Sequence, residues 1–156
     1  MRYMGTLIAV KDIERSRQFY SRVLGLEVVA DFGANVTLTG GVFLQTADTW
    51  RQFIHKRERD ILFANHAMEL YFESEDMDAF LARLAALPDI AYLHPPLTHS
   101  WGQRAVRFYD PDCHIVEVGE SMDAVIAGFL SGGLSVQETA LRMDVPVDYV
   151  RSRLGV

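Results

Sequence analysis

The chain has 156 residues, a formal net charge of −6, five histidines and one cysteine. That length suits one compact domain with an appendage, and nearly half the residues are hydrophobic, enough for a folded core. The negative charge argues against a protein that coats nucleic acid, no uncharged apolar run is long enough for a membrane span, and a lone Cys113 forms no disulfide within the chain.

The opening Met-Arg-Tyr-Met-Gly carries no signal-peptide pattern, which points to the cytoplasm. It runs into a strand-like segment from Tyr3 to Val10. An amphipathic helix is expected over Ile13 to Leu24, stopped by Gly25, with Ile13, Tyr20, Val23 and Leu24 on one face. Three short β runs follow, 26–30, 35–39 and 42–46, punctuated by Gly33 and Gly40-Gly41. Residues 48–65 mix apolar side chains with a charged cluster that includes His55. They read as a connecting loop with a short helix whose apolar residues could cover the end of a pocket.

The order β-α-β-β-β then recurs. Residues 67–74 alternate Met68, Leu70 and Phe72 with Glu69, Tyr71 and Glu73, the period of a strand. Met77, Phe80, Leu81 and Leu84 recur at helical spacing, and Pro88 closes that helix. Strands are expected at 91–94, 103–109 and 114–119. The last two flank Asp110-Pro-Asp, where Asp110 bonds its own backbone and Pro111 presets a turn angle.

Residues 121–156 read as all-helical. Met122, Val125, Ile126, Phe129 and Leu130 form a stripe, and Ser135 with Glu138 forms a capping box. Residues 134–150, which include this box, resemble a helix-turn-helix core. Arg142, Arg151 and Arg153 stand against four acids in the tail, a net charge of −1 that is wrong for DNA, so packing or assembly is the better role.

Phe19-Tyr20-x-x-Val23-Leu24-Gly25-Leu26 in the first unit and Arg107-Phe-Tyr-Asp-Pro-Asp-x-His-Ile-Val-Glu117 in the second resemble the vicinal-oxygen-chelate superfamily of glyoxalases, bleomycin-resistance proteins and extradiol dioxygenases. The family's usual glycine after Asp-Pro-Asp is Cys113 here. The resemblance implies an α+β fold of two βαβββ modules, about 1–47 and 66–120, curving mixed sheets around a cavity, with a helical extension over 121–156. Family members commonly pair, which implies a homodimer.

In metal-using members four inward side chains hold one divalent cation such as Zn, Ni, Mn or Fe. Matching the two units places Gly5, Gln45, Glu69 and Glu117 at those positions. Glu69 and Glu117 are oxygen donors, Gln45 is a weak one and Gly5 has none, so the set is incomplete unless waters, substrate, or His66 or His99 complete it. Glu117, Glu69 and His99 are the candidate catalytic residues. Tyr71, Trp101 and Arg104 are candidate substrate contacts, Arg104 through a substrate carboxylate, with core packing and a structural ion pair as the alternative roles. The expected function is a glyoxalase-like small-molecule enzyme of lyase, isomerase or dioxygenase type. The alternative is a non-catalytic protein that sequesters a small molecule.

Overall fold

The computed structural model describes residues 1–155. Contacts divide the described residues into two units, one formed by residues 1–68 with 109–114, the other by 69–108 with 115–155.

The first unit runs β1 (Thr6–Val10), α1 (Ile13–Leu24), β2 (Val28–Asp31), β3 (Asn35–Leu38), β4 (Val42–Thr46) and α2 (Ala47–Phe53). Its sheet has the order β1-β4-β3-β2, with β1 parallel to β4 and the later strands antiparallel. Asp12 caps α1 by accepting from the Arg15 amide at 3.0 Å, and Gly25 ends it in the left-handed region. Helix α1 brings Phe19, Tyr20 and Val23 into a core with Ile8, Val10, Val36, Leu38 and Leu44. Each fully buried aliphatic or aromatic side chain contributes about 1.5–3 kcal/mol.

The second unit repeats the order as β5 (Glu69–Ser74), α3 (Met77–Ala85), β6 (Ala91–Thr98), β7 (Arg104–Tyr109) and β8 (Ile115–Glu120), in a sheet ordered β5-β8-β7-β6. Leu70, Val106, Phe108, Val116 and Val118 are buried on this sheet, as are Met77, Phe80 and Leu84 of α3. The two βαβββ modules are thus present. Strand β6 extends to Thr98, four residues past the expected end. Its Pro95 and Pro96 are tolerated because the strand is at the sheet edge, where one of two successive residues faces away from the ladder and at most one ladder bond is lost.

The tail forms α4 (Met122–Ser131), α5 (Val136–Met143) and α6 (Val147–Leu154). Ser135 and Glu138 make the capping box, and Asp144 ends α5 with φ of 56°. Val125, Ile126, Ala140, Met143 and Val150 form one buried cluster, with Phe129, Leu130 and Trp101 packed against it. Among the described residues no helix is long and apolar enough to cross a membrane.

Candidate functional site

In the second unit the parallel β5–β8 register pairs Glu69 with Ile115, Tyr71 with Glu117 and Glu73 with Gly119. Paired residues of parallel strands share a face, so Glu69, Tyr71, Glu73 and Glu117 stand on one side while Leu70, Phe72, Val116 and Val118 occupy the other. One face is a polar surface and the other is core. A strand with a single carboxylate in an apolar run has its carboxylate on the polar side.

Arg107 organises this face. Its Nε donates to Glu69 at 2.8 Å, and its Nη2 meets Glu117 Oε2. Glu117 is only 4% exposed. Burial pushes its carboxyl up, the neighbouring Glu69 charge adds to this, and Arg107 pulls the other way. Glu69 is held low by its hydrogen bond from Arg107. The two carboxylates are therefore driven apart in acidity by their surroundings, as happens at sites of proton transfer.

Tyr71 lies next to Glu117 in the register. Its hydroxyl donates to Glu73 at 2.9 Å and accepts from Gln103 Nε2 at 3.0 Å. Burial, with the Glu73 bond adding, pushes the phenol up to about 12. Gln103 also donates to the Glu120 carbonyl and accepts from the Trp101 indole N–H at 3.1 Å. Gly119 makes room for this arrangement, since a Cβ there would lie 2.8 Å from Gln103 Nε2.

The other candidates have definite places. The His99 ring stacks on Trp101 at 4.2 Å with planes 4° apart, and burial, Arg107 and His94 lower its pKa. Arg104 forks onto Glu120 at 2.7 and 3.0 Å and reaches Asp78 at 2.5 Å, the ion-pair arrangement among its two possible roles. Gln45, in the first unit, accepts from Asn35 at 2.8 Å and donates to Thr49. His66 Nε2 is 2.9 Å from the Tyr109 hydroxyl. Cys113 is exposed at a φ of 67°, where the family has glycine. The linker supplies Asp48, Arg51, Glu58, Ile61 and Phe63 to a cleft of about 420 Å³ that Lys11 also borders.

The strand registers of the two units set the two matches two residues apart. Gln45 pairs with Ala9, whereas Glu117 pairs with Tyr71. Matching Gln45 to Glu117 therefore sets Leu7, not Gly5, against Glu69. The slip is two residues, so the face is kept and the position is not. Leu7 offers no donor either.

The residues present do not fit a resident divalent cation. Both glutamates are already neutralised in part by Arg107, and the Gln45 amide is engaged at both ends. Among the described residues no group of three or more His, Cys, Asp or Glu is arranged to hold a metal. Arg107 itself was missed in the sequence. The available signal was its distance from the Asp-Pro-Asp turn: the Asp110 amide bonds the His114 carbonyl at 3.0 Å, and counting back along both strands sets Arg107 opposite Glu117.

Residues 3–123 match the model of the glyoxalase-like domain family. The chain belongs to this family. With it comes membership of the vicinal-oxygen-chelate superfamily, many of whose members use divalent metals. A crystal structure of a protein of unknown function from Agrobacterium tumefaciens str. C58 is 37% identical, with a TM-score of 0.69 over 78% of this chain and 95% of that one. A lactoylglutathione lyase from Agrobacterium tumefaciens is 25% identical, with a TM-score of 0.55 over 76% of this chain and 92% of that one. A glyoxalase/bleomycin resistance protein/dioxygenase from Nocardioides shares the fold at 19% identity and a TM-score of 0.63, over 77% of this chain and 83% of that one. No curated protein matches the chain.

Proposed function

We propose that this chain is a glyoxalase-like small-molecule enzyme in which Glu117 exchanges a proton with the bound substrate. Arg107 orients Glu117 and keeps Glu69 ionised. The observation that carries this reading is the buried Glu117 carboxyl, raised by burial and held by an arginine on the polar face of its sheet. Tyr71, next to it in the register, supplies a hydroxyl to the same face. Glu69, Glu73 and Glu117 outnumber Arg107 there, so the surface favours a neutral or cationic substrate rich in hydrogen-bond donors.

The test is turnover in the presence of a chelator, using a panel of neutral and cationic α-hydroxy carbonyl compounds, for wild type and Glu117→Gln. The substitution keeps the shape and removes the proton site, and kcat should fall about 10²–10⁴-fold. Equal kcat for both proteins would overturn the role of Glu117.

The Arg107 bridge also favours a second reading, a binding protein that sequesters its ligand. A guanidinium paired with both carboxylates can serve as a binding wall that needs no chemistry. Thermal stabilisation by ligands without turnover of any of them would support that reading over the first.

A further inference from the structure

The tail helices lie almost wholly beyond the glyoxalase-like match, which ends at residue 123. Yet they hold one loop of the domain. Gly102 has a φ of 96°, and a Cβ at that position would stand 2.4 Å from the Phe129 ring of α4. Phe129 therefore presses directly on the loop backbone, at a residue that only glycine can supply. Arg142 of α5 donates to the Ser100 carbonyl, and its guanidinium lies 5.5 Å from the centre of the same Phe129 ring. Trp101 packs against the tail cluster.

Outside the tail, the loop is held by the His99–Trp101 ring stack, by Gln103, which donates to Tyr71 and to the Glu120 carbonyl, and by a few bonds of its own. Within it the His99 amide bonds the Gln103 carbonyl at 2.8 Å and the Gly102 amide bonds the His99 carbonyl at 2.9 Å. Segments with so few internal bonds sit at the low end of local stability unless something packs on them. The loop in turn reaches the polar face. Trp101 donates to Gln103, and Gln103 donates to the Tyr71 hydroxyl. A continuous set of contacts thus runs from α4 and α5 through the loop to the face that carries Glu117.

We infer that the helical tail is a clamp on the site: Phe129 and Arg142 are positioning residues that fix Trp101 and Gln103, and through Gln103 the Tyr71 hydroxyl on the face that carries Glu117. Its functional meaning rests on the proposed role of that face. The clamp itself can be tested without any substrate.

The experiment is nuclear magnetic resonance on the full chain, comparing wild type with Arg142→Ala, Arg142→Lys and Phe129→Ala. Trp50→Phe assigns the Trp101 indole signal. Arg142→Ala should speed hydrogen exchange at the His99 and Gly102 amides roughly tenfold while the Val118 amide keeps its rate. The Trp101 indole and the Gln103 side-chain amide signals should shift. Arg142→Lys, which keeps a cationic donor for the Ser100 carbonyl, should restore most of the protection and both signals. Phe129→Ala should act in the same direction. If it fails to fold, Arg142→Ala decides alone, because Arg142 is exposed. Unchanged loop exchange in a folded Arg142→Ala protein would overturn the clamp. So would faster exchange with the Trp101 and Gln103 signals unmoved. These readouts need no turnover, so they stand apart from the Glu117→Gln test.

Discussion

Arg107 faces Glu117 across the β7–β8 hairpin, and the same guanidinium holds Glu69 at 2.8 Å. One cation shared by two carboxylates takes the place between them that a divalent ion would take, but it offsets only one of the two negative charges on these neighbouring strands. It differs in kind, because a guanidinium has no empty coordination position for substrate oxygen and cannot act as a Lewis acid.

Metal titration should reflect this. Calorimetry of the wild type with Zn, Ni, Mn or Fe(II) should show no stoichiometric heat at the carboxylate pair. Arg107→Met removes the internal cation and should create weak divalent binding there, with a Kd on the order of millimolar, while lowering stability through two unpaired like charges. A micromolar wild-type site that Glu69→Gln abolishes would contradict the assignment.

The acidity of Glu117 predicts a pH dependence of stability. A carboxyl raised on folding binds its proton more tightly in the native state, so it weakens folding as pH rises above its ordinary value of 4.5. Glu69, held low, works in the opposite sense: its stabilisation is present at neutral pH and is lost as pH falls through its native value. The two titrate as a pair, and removing one leaves the other alone with Arg107. Glu117→Gln should therefore gain stability relative to wild type between pH 4 and pH 7. Urea midpoints at the two pH values read this directly, and a constant difference would count against the raised carboxyl.

Much of the fold could be read from the residues because its signals are local. Asp12 and Gly25 mark both ends of α1, the Ser135–Glu138 box starts α5, and alternation places Glu69 and Tyr71 on one face of β5. The site was legible only in part. Which carboxylates lie together follows from duplication, but what neutralises them depends on strand register, and register is set by turns and bulges. The β2–β3 pairing carries such an irregularity between Val28 and Ala30, and non-helical Gly40 interrupts the turn before β4. Period two preserves the face through an even slip, which is why the polar side of β4 was recognisable while the partner of Gln45 was not. The long β6 was missed because two prolines normally end a strand.

A second buried carboxylate should matter for stability rather than chemistry. Asp110 accepts from the Tyr20 hydroxyl at 2.9 Å and from the amides of Asp112 and His114 at 2.9 and 2.8 Å, and it lies 2.9 Å from His114 Nδ1. Asp110→Ala leaves a buried phenol and two amides without their acceptor and should cost roughly 3–5 kcal/mol. Tyr20→Phe removes a single hydrogen bond and should cost about 1 kcal/mol. The double variant should cost less than the sum, since both changes break the same bond. Urea unfolding of the three variants measures the coupling, and strict additivity would show that Asp110 acts elsewhere.

Assembly is the last expectation, and the first sheet supplies its argument. Strand β2 lies at the sheet edge, and Val29 and, just past the strand, Phe32 are 64% and 74% exposed. An edge strand with apolar side chains invites pairing with another chain. Burying side chains of this size contributes about 1.5–3 kcal/mol each, doubled in a symmetric pair because both copies present the same patch. We expect a homodimer by light scattering at micromolar concentration. Val29→Lys with Phe32→Lys should shift it to a monomer, and each change should leave the fold intact because neither side chain belongs to the core. A wild type that has the mass of one chain up to about 100 μM would contradict the dimer, given that interfaces of standard size bind far more tightly than this.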